Sequence, residues 1–263
     1  MDIQNKTIWI TGASSGIGEA LAINLANDGA SLILSARSED KLRELVKRLP
    51  NSDKHSVVPL DLANANDLET AIAKKAAQLP SLDALINNGG ISIRGEARDI
   101  ALHVQREVME VNYFGTIALT QLLVPLLEKA AGKVVNIASV AGKVGGQSMS
   151  GYAASKHALI GYMDCLRAEE ARNGISVLNV CPGFVQTQIS VHARTENGEE
   201  FGEVADSIAT GISAAECAQK INKAMRTDKN EVVIGKGISG WAPTLKRLFP
   251  GLVMKIAASK NVR

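Results

Sequence analysis

The chain is short of aromatic residues, of cysteine and of any one-sided charge. Aromatics make up 3% of its 263 residues, too few to offer stacking partners to a run of nucleic acid bases. Its formal net charge is +2 at pH 7, so no basic footprint marks a polyanion as partner and nucleic acid is not expected. The three cysteines, Cys165, Cys181 and Cys217, are far apart and form no Cys-x-x-Cys pair. That pattern excludes a disulfide framework or a zinc site and fits the reduced thiols of a cytoplasmic protein. The four histidines, His55, His103, His157 and His192, share no ligand spacing, so no metal is expected and they read as surface or helix-face residues. No apolar run approaches the roughly 20 residues that cross a bilayer. Met1-Asp2-Ile3-Gln4-Asn5-Lys6 leads into a strand without the apolar stretch of a secretory signal, and none is expected.

What is present is an alternation of short β-branched runs with longer helical patterns. Strands are expected at about 7–11, 31–36, 56–60, 83–88, 133–138, 175–181 and 231–235. Between them Ile17, Leu21 and Leu25 recur on one helical face, as do Leu42, Leu45 and Leu49. Strands apolar throughout, such as Ser31-Leu32-Ile33-Leu34, suit a sheet covered on both faces. The expected fold is therefore α/β: a single-domain, Rossmann-type, doubly wound parallel sheet of about seven strands over residues 1–263, with helices on both faces. Two segments stand out. Residues 188–213 form a connection longer than usual after a strand end, where a substrate loop is expected. Residues 236–263 hold Lys236, Lys246, Arg247, Lys255, Lys260 and Arg263 with no acid, and Trp241, Leu245, Leu248, Phe249, Leu252, Val253 and Ile256 at helical intervals that Pro250 should break or kink. Such a basic amphipathic tail suits packing over the cleft or against another subunit. It also suits peripheral contact with an anionic membrane surface.

Chemistry gathers at the strand ends. After the first strand, Thr11-Gly12-Ala13-Ser14-Ser15-Gly16-Ile17-Gly18 opens a helix. Glycine there lets the backbone turn and approach a pyrophosphate, and the helix N-terminus offers free N–H groups to it. After the second strand stands Ala36, where an acidic residue would hold a ribose 2′-hydroxyl, followed by Arg37 and Ser38. A guanidinium suits a 2′-phosphate, so NADP(H) is expected over NAD(H), with Arg37, Ser14 and Ser38 as phosphate contacts. Tyr152 and Lys156 lie at i and i+4, on one helix face. A carbonyl being reduced needs a proton, and a tyrosine near pKa 10 can give or take one only if its phenolate is stabilised, as an ammonium one turn away would do. Ser139 ends the fifth strand thirteen residues before Tyr152, which sets its hydroxyl beside the phenol to hold a substrate oxygen. The spacing of Tyr152 and Lys156 alone carries little weight. Cys181 reads as core packing, and Glu169-Glu170 as a solvated helix face.

The Gly-x-x-x-Gly-x-Gly spacing, with the motifs that follow it, resembles the short-chain dehydrogenase/reductase family from about residue 5 to 235. The resemblance implies that Asp61-Leu62 approach the adenine, and that Asn87-Asn88-Gly89-Gly90 stand for the family's Asn-Asn-Ala-Gly, bringing Asn88 and Gly89 to the cofactor. It implies further cofactor contacts from Pro182, Gly183, Val185 and Thr187, the last toward the nicotinamide, and a ribose contact from Lys156. By the same resemblance Asn112 links Lys156 to solvent through ordered water, completing the catalytic set Asn112, Ser139, Tyr152 and Lys156. Two long helices, at about 98–129 and 150–172, imply a homodimer or homotetramer. The tail, Asn87–Gly90 and the segment after Pro182 are similar to the dehydrogenase/reductase member 7 and 7B group, which implies a hydrophobic or lipid-like small-molecule carbonyl or alcohol substrate. A cofactor-binding regulator that performs no chemistry is the alternative, whereas the longer sugar-nucleotide epimerase type is disfavoured by the glycine spacing.

Overall fold

The structure is a computed structural model that describes residues 1–259, and the side chains of all of these but 65–67. Lys260 and Arg263 of the basic tail lie outside the described residues. The strands are β1 (Thr7–Thr11), β2 (Ser31–Ser35), β3 (Ser56–Val57), β4 (Ala84–Asn87), β5 (Lys133–Ile137), β6 (Ser176–Pro182), β7 (Val185–Gln186), β8 (Ile212–Ser213) and β9 (Glu231–Ile234). The helices are α1 (Gly16–Asn27), α2 (Glu39–Arg48), α3 (Ala65–Ala76), α4 (Leu102–Met109), α5 (Gly115–Lys129), α6 (Ser150–Glu170), α7 (Asp206–Ala209), α8 (Ala214–Met225), α9 (Ile238–Leu248) and α10 (Pro250–Ser259).

Seven strands form one parallel sheet in the order β3-β2-β1-β4-β5-β6-β9, the doubly wound arrangement expected. Successive side chains of a strand point to opposite faces, and β1 shows the consequence. Ile8 and Ile10 join a cluster with Leu21, Leu25 and Leu42 of α1 and α2 and Ile221 of α8. Trp9, between them, joins the opposite cluster with Leu119 and Leu123 of α5 and Leu159 and Met163 of α6. Each such side chain, fully buried, contributes about 1.5–3 kcal/mol, so a strand buried on both faces has no polar side to spare. The order reverses between β1 and β4, and ligands of such sheets bind at that switch, beyond the carboxyl ends of the strands.

Two expectations need correction, the unbroken helix at 98–129 and the surface reading of His55. The helix foreseen at 98–129 begins at Leu102 and is divided by a π turn, Glu110–Phe114. A Cβ on Gly115, just beyond, would lie 1.9 Å from the Leu62 carbonyl oxygen, so helix and chain touch there at backbone range. His55 is no surface residue: it is buried, Nδ1 accepting from the Leu32 N–H at 3.1 Å and Nε2 facing the Pro50 oxygen at 2.9 Å. It serves as a sheet-edge acceptor that no spacing argument reveals. The 188–213 segment carries α7, β8 paired with β7 just before it, and a bridge from Arg194 to Ile93. Pro250 does end one helix, but it also starts the next, where proline fits the first turn. The tail lies against the segment after Ser139, with Lys246 donating to the Lys143 oxygen at 2.8 Å and Gln147 to the Ala258 oxygen at 3.0 Å. Trp241, Leu248, Phe249 and Leu252 stay exposed. No helix among the described residues is long and apolar enough to cross a membrane.

Candidate active site

The residues singled out in the sequence meet at the carboxyl edge of the sheet. Gly12 follows β1 at φ +62°, a conformation costly for other residues. A Cβ on Gly18 would stand 2.2 Å from the Gly12 oxygen and 2.6 Å from Asn88 Nδ2, so this glycine serves the close packing of loop on helix. Gly16 faces Thr187, whose Cγ2 would be 3.0 Å from an added Cβ. The side chain of Ile17 packs against the core, which leaves only its backbone to the loop. Ser15, at the N-cap of α1, lends no side-chain oxygen to the first turn, so the N–H groups beside Ser14 and Ser15 are available to an anion. A cavity of about 340 Å³ opens there between Gly16, Thr187, Gln188, Val204 and Ile208.

Thr11 is the residue that sequence reasoning missed. Its buried Oγ1 accepts from the N–H groups of Asn88 at 3.0 Å and Gly89 at 2.9 Å, while Asn88 Nδ2 returns bonds to the oxygens of Thr11 and Gly12 at 3.0 and 3.1 Å. The ends of β1 and β4 are thereby clasped. A threonine directly before Gly12 is the only sequence signal, and it becomes readable once β1 and β4 are known to be neighbours.

Around this clasp the other candidates take their places. Arg37 is exposed beyond β2 and, among the described residues, pairs with no carboxylate. Ser38 precedes α2 without a side-chain capping bond. Asp61 accepts from the Ala63 N–H at 3.0 Å, and Leu62 is buried with its Cδ1 2.7 Å from where a Cβ on Gly89 would sit. Gly183 donates to the Ile234 oxygen at 2.8 Å just past Pro182, and Val185 is buried in β7. Glycine backbone, helix N-terminus and a free cation fit a phosphorylated dinucleotide.

The catalytic candidates sit one layer further along. Ser139 follows β5, and its hydroxyl accepts from the Ala141 N–H at 3.0 Å and donates to the Pro182 oxygen at 3.5 Å. Lys156 is 4% exposed, donates to the Ile137 oxygen at 3.0 Å, and holds Nζ 5.8 Å from the Tyr152 ring centre. Asn112 occupies the π turn, fully buried. It accepts from the Ile91 N–H at 2.8 Å and donates to the Ile91 oxygen at 2.9 Å and Ser155 Oγ at 3.0 Å. The electrostatics differ from expectation. Burial raises the Tyr152 pKa above its ordinary 10, and a hydrogen bond from Ser139 opposes that shift only in part. Burial also lowers Lys156 to about 8, because desolvation penalises whichever form is charged. The ammonium therefore does not dominate the phenol, contrary to the expectation from their spacing. His157 is exposed and turned to the Ala153 oxygen, and burial pushes the Cys181 thiol up to about 12, the state of an inert core residue.

A nucleotide-cradling turn at the switch of a doubly wound sheet, with Ser, Tyr and Lys beyond it, defines a dinucleotide-dependent oxidoreductase site. The short chain dehydrogenase profile matches residues 6–198, and the chain belongs to the short-chain dehydrogenase/reductase family. It is similar to Dehydrogenase/reductase SDR family member 7B of Danio rerio, 39% identical over 98% of this chain and 86% of that protein. Among solved structures it resembles a short-chain dehydrogenase from Streptomyces avermitilis, with TM-score 0.83, 26% identity and coverage of 99% and 100% of the two chains. A Burkholderia cenocepacia short chain dehydrogenase in complex with NADP shares the fold, with TM-score 0.81 and 23% identity over 99% of this chain and all of that one.

Proposed function

We propose that this oxidoreductase reversibly interconverts a carbonyl and an alcohol with NADP(H), in preference to NAD(H). The carrying observation is the partly buried phenol of Tyr152 with the Lys156 ammonium 5.8 Å from its ring centre, beyond the Gly12–Gly18 turn. The nicotinamide, when bound, supplies or takes the hydride. Tyr152, kept protonated at neutral pH by burial, gives its proton to the developing alkoxide. Ser139 orients the same oxygen by hydrogen bonding. Lys156 holds the ribose hydroxyls, and Asn112 fixes the Ile91 backbone and Ser155 behind it.

Arg37, unpaired among the described residues, with Ala36 in the place of an acid, supports the 2′-phosphate preference, and the NADP complex of the Burkholderia protein supports a site of that kind on this fold. Exposed Phe184 and Val204 near the cleft support a hydrophobic substrate. Exposed Leu102, Phe114 and Leu122 along α4, the π turn and α5 support a homodimer or homotetramer. The apolar and basic exposed residues of α9 and α10 support contact with an anionic surface from a cytoplasmic location.

The test is Tyr152→Phe, followed by NADPH consumption across steroids, retinoids, long-chain ketones, sugars and quinones. The variant is expected to bind NADPH as the wild type does and to lose at least a hundredfold in kcat, the lower end of the range that a positioned acid contributes, about 10²–10⁴-fold. Wild-type turnover by the variant would refute the mechanism. Absence of turnover by the wild type with every substrate would favour a cofactor-bound regulator on the same fold.

A further inference from the structure

Arg94 is left without a role by this mechanism, yet its segment runs between the Tyr152 cluster and the 188–213 segment. The segment that carries it leaves the cofactor side at Ile91, which packs with Tyr152 against the cluster of Ile93, Val104 and Val108. It is held on both sides: Ile93 pairs with Arg194 of the substrate loop, and Gly95 pairs with Met149, three residues before Tyr152. The Arg94 N–H donates to the Arg194 oxygen at 2.7 Å, and the Gly95 N–H to the Ser148 oxygen at 3.2 Å. In extended chain neighbouring side chains point opposite ways. Ile93 enters the cluster, so Arg94 turns from it, and its guanidinium lies 5.7 Å from the centre of the Phe201 ring.

This guanidinium is half-buried, and among the described residues it meets no carboxylate at ion-pair distance. Its neighbours are different. Arg194 is paired with Glu107 at 2.7 Å, and Arg98 with Glu96 at 2.9 Å. Glu196 lies against Gly95 and makes no pair with Arg94. Burial is the one cause that lowers the Arg94 pKa, so its charge is desolvated without local compensation. An anion would complete the pairing of this partly desolvated charge, and a guanidinium can give an oxyanion two parallel hydrogen bonds while the Phe201 ring lies beside it.

We propose that Arg94 is the anion-recognition residue of the substrate cleft, and that the substrate carries a carboxylate or phosphate group apart from its reacting carbonyl. The proposal rests on the reductase reading in taking this cleft as the substrate site. It adds an ionic end to the hydrophobic substrate suggested by Phe184 and Val204.

The experiment uses NADPH-loaded protein, so that the dinucleotide phosphates are already in place, and compares wild type with Arg94→Met and Arg94→Lys. Hexyl phosphate, hexanoate and hexanol are titrated calorimetrically, and NADPH affinity reports that each variant is folded. At least one anion is expected to bind the wild type more tightly than hexanol, and Arg94→Met to weaken it by about ten- to hundredfold, as for loss of a hydrogen bond to a charged group. Lysine should restore part of that loss, and the preferred anion tells phosphate from carboxylate. Equal anion affinity in wild type and Arg94→Met, or hexanol binding as tightly as either anion, overturns the proposal. Turnover of 5-oxohexyl phosphate, 5-oxohexanoate and 2-hexanone separates the two readings. The ratio of kcat/KM for the anionic to the neutral ketone should fall at least tenfold in Arg94→Met. Arg94-dependent anion binding without turnover of any ketone would sink the reductase reading and leave the anion site standing. Turnover with the same ratio in both proteins would do the reverse.

Discussion

Replacing Thr11 by valine keeps the shape of the side chain and removes one oxygen, which isolates the clasp between β1 and β4. Two backbone donors, the N–H groups of Asn88 and Gly89, then lose the acceptor they share at 3.0 and 2.9 Å. Each unsatisfied donor in a buried setting costs about 1–3 kcal/mol. Both donors are only partly buried, and the added methyl recovers some apolar burial, so the expected loss is about 2–4 kcal/mol. The Asn88–Gly89 turn should also shift against Gly12, and NADPH affinity should fall with it. Thr11→Ser, which keeps the oxygen and removes one methyl, should stay within about 1.5 kcal/mol of the wild type. Urea unfolding of the three proteins, with NADPH titration of each, reads both effects. A valine variant within about 0.5 kcal/mol of wild type, with unchanged NADPH affinity, would show that the clasp holds nothing.

Further outcomes follow from charge. Lys156, lowered to about 8 from an ordinary 10.5, carries a buried charge that the unfolded chain holds at no penalty. The folded state releases its proton first, so stability should rise between about pH 8 and 10.5. Lys156→Met should then lose turnover while gaining on the order of 2–4 kcal/mol in stability at pH 7, a gain that shrinks as pH approaches 10, read by urea midpoints across that range. For the wild type, kcat/KM for carbonyl reduction should decline above about pH 8 as Lys156 loses its charge. Arg37→Ala should lower kcat/KM for NADPH about ten- to hundredfold and spare NADH, as expected for a lost charge-assisted contact. Equal kcat/KM with both cofactors in the wild type would remove the basis for that contact.

Strand positions and the doubly wound order were legible because a strand buried on both faces must be apolar throughout, as Leu32-Ile33-Leu34 and Ala84-Leu85-Ile86 are. The π turn at Asn112 was not, since the same residues suit an unbroken helix and the approach of Gly115 to Leu62 beside it is a contact between distant parts of the chain. His55 was misread for a related reason. Its acceptor role depends on the Leu32 N–H across the sheet edge, a partner 23 positions away.

The family motifs, Gly12-x-x-x-Gly16-x-Gly18 and Tyr152-x-x-x-Lys156, are local patterns, so the sequence alone was enough to determine membership of an oxidoreductase family that binds NAD(P). The protonation states were decided only by the tertiary structure. Spacing puts Lys156 one turn from Tyr152 and suggests an ionised phenol, but burial raises one group and lowers the other. That Arg94 meets no carboxylate among the described residues likewise depends on where Glu107 of α4 and Glu196 settle in the fold. Desolvation and pairing are properties of surroundings brought together from distant parts of the chain, and no window of neighbouring residues contains them.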